Sequence, residues 1–104
     1  MQRLPRQQGD VLLLPLCKMP EGEQKQVAKK RLVIAHGESG HSHIIKDDEA
    51  ELIQIGERMI LSLKKPATLK HEEHHHQMIE PGIWEIGRVQ EYDWFSKMAR
   101  SVKD

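Results

Sequence analysis

Apolar residues in this chain come in runs too short for ordinary helices, and glycine, proline or a charged turn interrupts each one. That punctuation restricts the fold more than any other feature, because runs of 4–8 residues between turn signals read as strands. "GDVLLLPL", Gly9 to Leu16, is a compact apolar run suited to a buried strand, with Pro15 placing that end at an edge or a bulge. "KMPEGEQKQVAKK" then reads as a polar loop, with Pro20 and Gly22 marking a turn. Leu32 to Ala35 and His41 to Ile45 flank "GESG" as a hairpin. After "KDDE", taken as an acidic turn, Ile53 alternates with Ile55, and Met59 with Leu61 and Leu63, while Leu52 has no partner in the alternation. Gly56 and Glu57 would join these two runs as a second hairpin.

"PGIWEIGRVQEY" is a turn and a long alternating strand, with Trp84 and Ile86 on the core side and Gly87 able to form a bulge that exchanges the faces. Asp93 can cap a short helix in which Trp94, Phe95, Met98 and Val102 recur at helical spacing. The expectation is a mainly β fold, a small barrel or sandwich with a short C-terminal helix, in a single domain over residues 1–104.

Composition narrows the function classes. Sixteen basic and sixteen acidic residues cancel, so no global positive field gathers nucleic acid or anionic membrane, and the basic clusters at Lys29 to Arg31 and at Lys64 and Lys65 read as solvated strand ends. Nucleic acid is not expected as a partner. One cysteine, Cys17, excludes an internal disulfide framework and a cysteine-rich zinc site. No stretch approaches the ~20 apolar residues of a spanning helix, and the expectation is a soluble cytoplasmic protein without a membrane partner.

The chemistry lies in the histidines. "HSH" sets His41 and His43 on one face of a strand, so both imidazoles can turn toward one ion. Neutral imidazole suits zinc, copper, nickel or iron, whereas calcium and magnesium sites are built from oxygens. In "HEEHHH", read as a strand, His71 and Glu73 share one face while Glu72 and His74 share the other; a turn or bulge at His74 would instead bring His71 and His74 together. His36, His75 and His76 are weaker candidates. "HEEHH" also matches the H-E-x-x-H pattern of metalloproteases, but that chemistry needs a helix, and the segment between Pro66 and Pro81 has no apolar stripe through its middle.

"QGDVLLLP", "GHSH", "HEEH" and "PGIWEIGRVQEY", in that order, resemble a group of small uncharacterised bacterial and phage proteins patterned as GDVL, GH-x-H, HEEH, PG-[YW]-x-[VI] and Q-x-EY. The resemblance runs from Gln8 to Val102 and implies that His41, His43, His71 and His74 are the matching residues, with Glu72 and Glu73 between them. A looser similarity is to cupins, metal-binding β-barrels. His41, His43, Glu49 and Gly56 approximate the first cupin motif, but His71 to His76 precede the "PG" turn that their second-motif histidine should follow.

The expected function is binding of a divalent transition metal (zinc, nickel or iron) through His41, His43, His71 and His74, with Glu72 or Glu73 as a further ligand or a base. An open coordination position would activate water for hydrolysis or bind a small anion. The competing expectation is a non-enzymatic phage or mobile-element assembly or accessory protein with structural histidines. A polar composition and exposed strand edges point to a homo-oligomer in either case.

Overall fold

A computed structural model describes residues 3–36, 42–72 and 74–88, with the backbone alone for Ala35 and His36. Among the described residues, eight strands form one antiparallel sheet: β1 (Arg6–Gln8), β2 (Val11–Leu16), β3 (Lys25–His36), β4 (Ser42–Ile55), β5 (Arg58–Leu63), β6 (Ala67–His71), β7 (His74–Ile79) and β8 (Gly82–Arg88). The order β1-β2-β8-β5-β4-β6-β7 curls until β1 lies beside β7, which nearly closes a barrel; β3 lies off this path and pairs with β4. Among the described residues no helix is long and apolar enough to cross a membrane. The expected C-terminal helix, Asp93 to Val102, falls outside the described residues.

The central ladder follows from period-two burial. β8 pairs without interruption with β2, from Val11↔Arg88 to Leu16↔Ile83, and with β5, from Met59↔Ile86 to Leu63↔Gly82. Val11, Leu13, Leu61, Leu63 and Trp84 point into the main core beside Leu32, Ile45, Leu69 and Ile79. The alternate positions Ile53, Ile55 and Ile60 bury the other face beneath Leu16, Met19 and Ile83. Leu52, on the other face from Ile53 and Ile55, sits opposite Leu61 across the ladder, inside the main core. Pro15 lies past the end of β1, which pairs only with Val11 to Leu13, so its missing N–H costs no bond on that side.

Turn chemistry fixes two hairpins. Gly56 takes φ +60° in the two-residue turn that brings Ile55 opposite Arg58, and Gly9 takes φ +57° in the turn between Gln8 and Val11. Glycine at the first central position is what such a turn demands.

Three expectations need correcting. The polar segment read as a loop is strand from Lys25 onward, because β4 supplies a pairing edge that its own exposed, lysine-rich pattern does not announce. "KDDE" is not the end of a strand but a kink within β4: pairing with β3 passes from Lys46↔Arg31 to Glu51↔Lys29 with Lys30 at φ 68°, and the Asp47 carboxylate accepts the Glu49 N–H at 2.9 Å. Gly87 makes no bulge, since it sits in register opposite Leu12 and the ladder continues to Arg88.

Candidate functional site

Three neighbouring strands each deliver one histidine to a single row. β4 pairs with β6 through Ile45↔Leu69 and Ile44↔Lys70, and one step further along that register sets His43 beside His71. β6 then turns into β7 so that His71 is registered opposite His74. The strand reading that separated His71 from His74 is thereby replaced by its alternative, a turn that puts them together. A register shift between Leu69 and His71, two β7 residues facing one on β6, keeps His74 in phase with the inward Ile79. The strand–turn–strand path also removes the helix that H-E-x-x-H chemistry would need.

The imidazole rings meet. Centroids are 4.3 Å apart for His43 and His71, 4.6 Å for His71 and His74, and 5.9 Å for His43 and His74. His43 and His71 are buried, at 3% and 5% exposure, while His74 lies at the surface. The His74 ring covers the β1–β2 turn so closely that a Cβ on Gly9 would stand 2.5 Å from its Nε2. Burial, then the neighbouring His71 and His74 rings and Arg88, push the His43 pKa down to about 4, with Asp10 opposing. Asp10 and Arg88 pair at 3.2 Å beside the cluster.

Gln8 links this row to the barrel's closure. It is 2% exposed and places its side-chain oxygen 2.9 Å from His43 Nδ1. Its amide nitrogen donates to the carbonyls of Leu69 at 2.9 Å and His75 at 2.8 Å. Gln77 donates back to the Gln7 carbonyl, and Arg6 bonds Glu80 at 2.6 and 2.9 Å. Among the described residues β1 and β7 share no registered pair, and these side chains hold the seam.

Outside the row, a groove of about 390 Å³ runs along β4, β6 and β7, lined by Ser42, Lys46, Lys70, His71, Glu72 and His76. His41 and Glu73 lie outside the described residues. The rings pack against one another instead of around a point: among the described residues, no group of three or more histidine, cysteine or acidic side chains is placed to hold a metal ion.

Reasoning from sequence missed Gln8, Gly9, Asp10 and Arg88. Their signal was present in "QGDV", a polar residue ahead of a glycine turn and a buried strand, but its meaning depends on β7 arriving alongside.

A family model described as a domain of unknown function (DUF8820) matches residues 7–89, a span that includes all of these groups. No curated protein and no solved structure matches the chain.

Proposed function

We propose, for a chain that belongs to the DUF8820 family, that it is a small β-barrel protein binding a divalent transition metal, zinc, nickel or iron, through His43, His71 and His74. One observation carries the reading: three imidazoles from three adjacent strands stand within 4.3 to 5.9 Å of one another, two of them buried. Zinc–nitrogen bonds are about 2.0–2.1 Å long, so loading requires the rings to rotate from contact toward a common point. His74, at the surface, has the most room to do so. Its low pKa keeps His43 neutral and ready to ligate across the physiological range.

Three histidine ligands would leave a coordination position open, and a metal held there would supply Lewis-acid polarisation of water or a bound anion. The groove lies on the outward side of β4 and β6, where alternation turns Lys46 and Lys70 away from the inward His43 and His71, and Glu72, which also lines it, is the candidate base if a bound ligand is hydrolysed.

Elemental analysis and zinc calorimetry on tag-free protein test the reading. The expected result is one equivalent of metal, lost in His43→Ala and His71→Ala and retained in His76→Ala. A wild-type protein that takes up no metal overturns it.

The seam bonds of Gln8 favour a second reading, in which the histidines are structural elements of a non-enzymatic accessory protein that acts as a homo-oligomer. That reading expects His43→Ala to lower stability with metal present or absent, and light scattering to show a species larger than the 12.1 kDa monomer.

A further inference from the structure

Gln8 carries a complete hydrogen-bond account that decides a proton position elsewhere. Its side-chain amide faces two carbonyl oxygens, those of Leu69 and His75, at 2.9 and 2.8 Å. A carbonyl accepts and never donates, so the atom facing both must be the NH2, and both of its protons are engaged. The remaining atom, Oε1, can only accept, and it stands 2.9 Å from His43 Nδ1. His43 Nδ1 must therefore carry the hydrogen, which leaves the lone pair of the neutral ring on Nε2.

We infer that Gln8 is the positioning residue of this site: it fixes His43 as the Nδ1–H tautomer and so makes Nε2 the atom His43 offers to a metal. The inference rests on the metal reading above. Metal-bound histidines commonly donate their second ring N–H to an oxygen acceptor, which sets tautomer and ring orientation together. Here the acceptor is itself anchored on β6 and β7, the strands that supply His71 and His74, so one side chain ties the proton on the β4 histidine to the spacing of the other two. Glutamate at this position would keep the acceptor and lose both donors. Methionine would keep the volume and lose all three bonds, leaving two carbonyls unpartnered by Gln8.

The experiment is ¹⁵N-histidine NMR of the metal-free full chain at mildly alkaline pH, followed by zinc titration of the same samples, for wild type, Gln8→Glu and Gln8→Met. The expected result is an Nδ1–H signature for wild-type His43, with zinc perturbing its Nε2 resonance. Gln8→Glu retains that signature, whereas Gln8→Met loses it and weakens zinc binding on the order of 10- to 100-fold. An Nε2–H signature in the wild type overturns the role of Gln8 even if zinc binds with full affinity, and the metal reading then survives. An Nδ1–H signature with no zinc response in any sample overturns the metal reading, and with it the ligand role given to Nε2. Should Gln8→Met fail to fold, the wild-type and Gln8→Glu signatures still decide the tautomer.

Discussion

The barrel is closed in two different ways on its two sides. Along β2, β8, β5 and β4, closure is by backbone ladders with apolar side chains beneath them, and Leu61, Ile60 and Trp84 are wholly buried. Between β1 and β7, closure is by side chains: Arg6 to Glu80, Gln77 to the Gln7 carbonyl, and Gln8 to the carbonyls of Leu69 and His75. A ladder satisfies its own backbone and leaves little freedom for chemistry. A seam held by side chains leaves room for polar groups, and the three histidines sit beside it. The rigid side stabilises the fold, and the polar side carries the candidate site.

Trp84→Ala should produce the largest effect, because it empties the centre of the main core and removes the bond from Nε1 to the Glu80 carbonyl. A loss of about 3–5 kcal/mol is expected from the urea midpoint, with all strands melting together. If the seam outlasted the ladder in that variant, the assignment of stability to the ladder would be wrong.

Acid should act on the seam. The His43 pKa is lowered from 6.5 to about 4 in the folded chain, so between these values the unfolded state binds the extra proton and stability rises with pH. Metal-free protein should thus lose on the order of 2–3 kcal/mol as the pH falls from about 6.5 to about 4. The groups facing His43 are Gln8, His71, His74, Arg88 and Asp10, and His43→Gln should flatten this part of the profile. An unchanged slope in that variant would place the acid sensitivity elsewhere.

The same division decides what could be read in the sequence. β5 and β8 were legible because their apolar residues alternate with period two, with Trp84 and Ile86 declaring their face, and β2 because a short continuous apolar run between turn signals reads as a buried strand. The beginning of β3 was not, since Lys25 to Arg31 are mostly exposed and become strand only because β4 pairs with them. Within the site, "HSH" and "HEEH" exposed the histidines, and the possibility of a turn before His74 was visible in the spacing. Gln8 was invisible as a partner because its bonds span 35, 61 and 67 residues of sequence, and no local pattern encodes a contact made only when a barrel closes.

Gly9→Ala tests how tightly seam and site are joined. An alanine would have to hold φ +57° and would push its Cβ against the His74 ring, so a loss of about 1–3 kcal/mol is expected. Hydrogen exchange should speed up in β1 and β7 before β5 and β8, and the His74 resonances should move while those of Trp84 stay in place. Equal acceleration in all four strands would mean that seam and ladder open as one unit.

The smallest effect is expected from Arg6→Ala. Arg6 holds the Glu80 carboxyl below its usual pKa, chiefly by a side-chain hydrogen bond, so the pair supports the folded state at neutral pH and releases it as acid protonates Glu80. Both side chains are 39% exposed, and water and salt take most of the strength from such a pair. The melting temperature should therefore barely change. Exchange at β1 and β7 should still rise at neutral pH and match the wild type in acid, where the bond is already lost. If Arg6→Ala left exchange untouched at every pH, the seam would depend on Gln8 and Gln77 alone, and the weight of closure would shift to the residues that also touch His43.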